Sequence, residues 1–203
     1  MLWYLMITES ILMSAPRVSI EIDEDVRTGR LSVQLLRPMS YALARMSQAM
    51  GERIVRFGVN VATGTVVALL LVGPIAISLE TIAMFALVLP LAFILDFLGY
   101  FAVGLCAFWL ESTIGLSLIY TRLTMLLGGM LLPMEMFPVS IQPIVRWLPF
   151  ASMVYGPARV FVATERSVFL HTLLAQVVAL ACFGIVVLTV QRMALRRIES
   201  NGG

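Results

Sequence analysis

Apolar positions run through this chain in long unbroken blocks, and polar positions are confined to short breaks and one extended island. Four blocks, 57–77, 81–109, 113–132 and 167–190, are each long enough to cross a bilayer as a helix. None alternates with a period of two, so membrane-barrel strands are excluded. The first block carries Gly58, Gly64, Ala68 and Gly73, small residues that allow close helix contact. Residues 1–16 are apolar but short, and Glu9 interrupts them; they read as a partial span.

Residues 133–166 break the pattern. Pro133, Pro138, Pro143, Pro149 and Pro157 cut an apolar segment into pieces too short to span. Short helices that dip in and return fit it, if protein shields their broken backbone.

The polar island opens at Asp23 and closes near Met39. A helix over Ile20–Thr28 is expected to stop at Gly29, a residue suited to a left-handed helix terminus. A second short helix, Arg30–Leu36, follows, with Leu31, Leu35 and Leu36 on one side. Arg37 is pushed out of helical geometry by Pro38, which opens a third helix over Met39–Arg56.

Composition adds the setting. The 203 residues are 60% hydrophobic and only 13% charged, and the mean hydropathy is +0.97. That excludes an ordinary soluble domain. The fold class is therefore all-α, a polytopic integral membrane helical bundle with a single transmembrane domain, 1–203. All 14 basic residues are Arg, and seven of them fall within 17–56. The excess of arginine places this segment and the tail 191–203, with Arg192, Arg196 and Arg197, on the cytoplasmic side. Cys106 and Cys182 lie in apolar runs, and a lone His171 cannot build a metal cluster. Trp147 and Tyr155 suit a membrane interface.

Two charges sit deep in apolar blocks, where charge rarely faces lipid. Asp96 lies 13 residues before Trp109, and Arg122 lies 11 residues after Glu111. At 1.5 Å per residue both are about 16–20 Å from the turn between them. An intramembrane Asp96–Arg122 pair is the expectation, as a structural bond between consecutive helices or as part of a transport path.

The order of three motifs resembles the membrane subunits of ABC-2 type exporters, the six-span bacterial permeases of drug-resistance-like kind. They are Gly29-Arg-Leu-Ser-Val-Gln-Leu-Leu-Arg-Pro38, Gly104-Leu-Cys-Ala-Phe-Trp109, and Gly128-Gly-Met-Leu-Leu-Pro-Met-Glu-Met-Phe-Pro138 followed by Leu148-Pro-Phe150. The resemblance covers essentially the whole chain. It implies that the first span of the family is missing and that residues 1–16 end the second.

The resemblance further implies an ABC-2 (type V) exporter transmembrane domain in the bacterial cytoplasmic membrane. Arg30, Leu31, Leu35, Leu36, Arg37 and Pro38 would form a coupling helix seated on a separate ATPase. The P-loop, ATP and magnesium would belong to that partner; no GxxxxGK[ST] occurs here. A second permease subunit, identical or related, would complete the pair. Pro133, Phe137, Pro138, Pro149 and Phe150 would belong to a pair of re-entrant helices at an outer gate. The subunit would export a drug or lipid-like substrate by alternating access and would itself be no enzyme, bind no metal and touch no nucleic acid. The alternative is a non-catalytic membrane scaffold or channel subunit. An intramembrane enzyme would need a catalytic set that one His, no Lys and scattered acids do not form.

Overall fold

Trp3 and Tyr4, neighbours on the first helix, each donate a hydrogen bond to a distant turn, and those two bonds frame the bundle. Trp3 Nε1 donates to the Gly73 carbonyl (3.2 Å) and the Tyr4 hydroxyl to the Gly129 carbonyl (2.8 Å). The computed structural model describes residues 1–35, 40–132 and 134–201.

Helix α1 (Leu2–Met13) buries Trp3, Tyr4, Met6, Ile7 and Ile11. Its hydroxyls return to the carbonyls one turn back: Thr8 to Leu5, Ser10 to Met6, and Ser14 just beyond it to Ile11. Polar side chains are thereby satisfied within an apolar surrounding. Helices α2 (Val18–Arg27) and α3 (Arg30–Leu35) follow. Between them Gly29 takes φ +71°, which only glycine adopts without strain, so the expected stop is in place.

Helix α4 (Tyr41–Leu71) then runs unbroken for 31 residues, about 46 Å at 1.5 Å per residue. Helix α5 (Leu79–Leu105) returns antiparallel and ends in a 3-10 turn, Cys106–Phe108. The Ser78 hydroxyl caps its start by accepting from the Thr81 amide (3.1 Å). Helix α6 (Ile114–Leu127) has only 14 residues, about 21 Å. Helices α7 (Gln142–Trp147), α8 (Pro149–Met153) and α9 (Tyr155–Ala163) fold the proline-rich segment over one end of the bundle. Helix α10 (Arg166–Asn201) runs back along α5, its most extensive partner.

Three described helices, α4, α5 with its 3-10 extension, and α10, are long and apolar enough to cross a membrane. Within the expected span 113–132 the helix is shorter: α6 stops at Gly128, and Gly129 at φ +76° turns the chain away. The proline-rich segment, expected to hold a pair of re-entrant helices, is cut into short pieces. It forms a 3-10 turn (Met134–Met136) and three short helices. Ala151, Ser152, Met153, Gly156, Pro157 and Ala158 are buried, so the broken backbone is covered by protein rather than lipid.

Close contacts depend on glycines facing bulk. A Cβ on Gly99 of α5 would stand 1.9 Å from the Tyr120 hydroxyl oxygen of α6, and one on Gly104 would stand 2.8 Å from Ile22 Cβ of α2. Among the small residues of α4, Gly64 meets Met6 of α1, while Gly58 has nothing near it. The outer surface of α4 is apolar, with Val55, Val59, Val66, Leu70 and Leu71 exposed. For a helix this long, such a face suits hydrocarbon.

Candidate functional site

The bundle has two ends. One is built by α2, α3 and the start of α4; the other by the turns at Gly73 and Gly129 and the helices α7–α9. Charged and polar groups gather in the middle and at both ends.

In the middle, Arg53 of α4 is 1% exposed. Its Nη1 donates to Asp96 Oδ2 of α5 at 2.6 Å, and its Nη2 to the Ile11 carbonyl of α1 at 3.2 Å. Ile11 lies in the last turn of α1, where carbonyls lack helical partners and carry the negative end of the dipole. The Phe93 ring sits under the guanidinium at 4.2 Å, and Nε has no partner among the described residues. One arginine thus joins three helices.

Arg122 is not the partner of Asp96. It is exposed on α6, with Nη1 3.7 Å from Met125 Sδ. The reason is its face. Tyr120 and Thr124 are the buried residues of α6, and Arg122 is two positions from each, about 200° around the helix. The depth estimate places Arg122 level with Asp96; the helical phase turns it outward. Sequence reasoning missed Arg53 because it was counted with the cytoplasmic arginines of 17–56.

At the α2 end the island's acids turn inward. Asp25, buried, accepts from the Tyr41 hydroxyl (2.8 Å) and pairs with Arg45 of α4; Arg30 Nε lies 3.6 Å away. Asp23 accepts from Arg27 Nε (2.8 Å) and from the Thr113 amide (3.2 Å) at the start of α6, where a carboxylate meets the positive helix end. Ser19 and Ser117 share a hydrogen bond of 2.9 Å. Arg45 Nη1 also reaches Glu21 at 3.0 Å. Burial pushes the Glu21 carboxyl above its ordinary range, with Arg45 opposing. Helix α2 is therefore bonded to α4 and α6, and it packs against α5 where Ile22 meets Gly104.

The expected docking set divides. Arg30 is 54% exposed and pairs with Glu24. Leu31 is 5% exposed and belongs to the main core; it anchors α3 and is not on an open docking face. Leu35 ends α3, while Leu36, Arg37 and Pro38 lie outside the described residues.

At the opposite end, Phe137 packs against the cluster of Met134, Val145 and Ala151, and Pro138 is exposed. Pro149 opens α8, and the Phe150 ring meets Tyr120 at 5.7 Å. Pro133 lies outside the described residues. Glu9 lines an open, mostly apolar groove of about 460 Å³ between α1 and α4, with Asn60 and Thr63. Among the described residues no three His, Cys, Asp or Glu side chains gather at metal-binding spacing.

The model of a family described as ABC-2 family transporter protein matches residues 1–202. The chain belongs to that family, and with its long apolar helices it is a membrane protein. No curated protein matches it.

Proposed function

We propose that this ABC-2 family chain is the permease subunit of an ATP-driven exporter, working with a separate P-loop ATPase and a second permease subunit, the same or related. The observation that carries this reading is the fastening of α2 to α4 by Asp25 and to α6 by Asp23 and Ser19, with Ile22 packed against Gly104 of α5. A force applied beside it, at α3, would reach α4, α5 and α6 at once. Arg30, Leu35, Leu36, Arg37 and Pro38 are the residues we assign to the ATPase contact. ATP and magnesium act on the partner chain.

In this reading the α2 end and the C-terminus face the cytoplasm of a bacterial cell, and the chain sits in its cytoplasmic membrane. The groove with Glu9, Asn60 and Thr63 faces the transport path, and its apolar walls suit a drug or lipid-like substrate. Phe137, Pro138, Pro149 and Phe150 belong to the outer gate, together with Pro133. Arg53–Asp96 holds the bundle together while the ends move.

Co-expression with candidate P-loop ABC ATPases from the same genome tests the assignment. Tagged permease should retain the ATPase through purification, and Leu35→Asp with Leu36→Asp should release it while the permease keeps its melting temperature. Retention of the ATPase by that double variant sinks the coupling assignment.

A further inference from the structure

Between α8, α9 and the start of α10 lies a partly open cavity of about 240 Å³. Its lining contains Arg146, Arg159 and His171, the hydroxyl residues Ser152, Ser167 and Thr172, and no carboxylate. We propose that this cavity binds a phosphate group, as the headgroup of an anionic lipid or as free phosphate.

The charge balance supports an anion. Arg159 is partly answered by Glu135, 3.8 Å away. That carboxylate also accepts from the Tyr155 hydroxyl at 3.0 Å. Arg146 has no carboxylate within ion-pair distance among the described residues. Guanidinium groups present forked donors that match phosphate oxygens.

The inner wall supplies an independent sign. Ser152 is 2% exposed, and its Oγ has no hydrogen-bond partner among the described residues. A buried hydroxyl left unpaired is costly, and a ligand oxygen in the cavity would answer it. The Ser152 carbonyl is already held by Gln176 Nε2 at 3.0 Å, so the backbone that presents the hydroxyl is fixed. Gly156 lets α9 lie close to α10 at Thr172, where a Cβ would come within 2.5 Å of Thr172 Cγ2.

A second recess adjoins the first and shares Arg146 and His171 with it. Val139, Pro143 and Trp147 give it apolar walls, and the Trp147 and His171 rings are 5.2 Å apart. A phosphate in the first cavity could continue into a less polar body in the second. Indole rings favour that boundary between water and hydrocarbon.

The site needs no ATPase, so its test is independent of the transport reading. Purified protein in a zwitterionic detergent would be titrated with a short-chain phosphatidylglycerol, and separately with inorganic phosphate, following the melting temperature. Saturable stabilisation by either is expected, and the one that saturates lower names the source. Arg146→Gln, at an exposed position outside the core, should weaken the response roughly tenfold or more. Ser152→Ala should weaken it as well, while the unliganded melting temperature stays at or above that of the parent. Absence of saturation with both probes, or an unchanged midpoint in both variants, overturns the proposal.

Discussion

Arg53 and Asp96 stand 22 residues before and 21 residues after Ile75, in the turn between α4 and α5, and their side chains meet at 2.6 Å. Two antiparallel helices bring positions equidistant from their turn to one level. The same rule offers Asp96 a second arginine, because Asp96 and Arg122 are each 13 residues from Trp109. Both cations share the depth of Asp96, and helical phase decides between them.

Loss of one partner should therefore be severe. Arg53→Ala or Asp96→Asn leaves a charge buried without its partner and should cost about 3–5 kcal/mol. Arg53→Met combined with Asp96→Leu should recover most of that loss, since apolar pairs of similar volume often replace buried ion pairs. Arg122→Gln should change stability by less than about 0.5 kcal/mol. Melting curves in detergent would check all three; equal losses for Arg53→Ala and Arg122→Gln would contradict the pairing.

Much of the fold is legible in the residues. Gly29 stops α2, Arg30 opens α3, and the apolar blocks become α4, α5 and α10. What is hidden has physical reasons. Rules of topology count Arg53 as cytoplasmic, but α4 begins at Tyr41 and carries it into the core. Leu31 and Leu35 share one apolar stripe, and no local pattern says which neighbour will cover Leu31. The length of α6 depends on Gly128 and Gly129 fitting beside Val154 and Tyr155, contacts made only after the chain has folded back. The cavity beside Ser152 gathers residues from four helices, α7 to α10, so no spacing announces it.

The contact of Gly99 with Tyr120 sets the spacing of α5 and α6. Gly99→Ala should destabilise the bundle by about 1–3 kcal/mol, the usual cost of overpacking. Combining it with Tyr120→Ala should give a total smaller than the sum of the two single losses. A double-mutant cycle on melting free energies measures this, and strict additivity would argue against the contact.

Leu31 should behave as a core residue. Leu31→Ala should cost about 2–5 kcal/mol of stability. Leu31→Asp should lower the yield of folded protein even with no ATPase present. A Leu31→Asp variant that melts like the parent would return this side chain to the surface.

Glu21 gives a pH test. Burial raises its folded-state pKa against the pull of Arg45, so the folded chain takes up this proton more readily than the unfolded one. The charged form therefore costs stability at neutral pH, and the cost fades as pH falls through the folded-state pKa. Glu21→Gln should melt at or above the parent at pH 7, and the parent should gain on it as the solution is acidified. A parent that is clearly more stable at pH 7 would mean that the bond to Arg45 outweighs burial.

The two aromatic bonds of α1 also impose a timetable. Trp3 and Gly73 are 70 residues apart, and Tyr4 and Gly129 are 125 apart. At about 5–20 residues per second of synthesis, Tyr4 waits roughly 6–25 s for its acceptor to exist. Helix α1 is made early and seated late. Through that interval its buried face has neither α9 nor the Gly129 turn against it, so this helix is where assembly is most exposed to error.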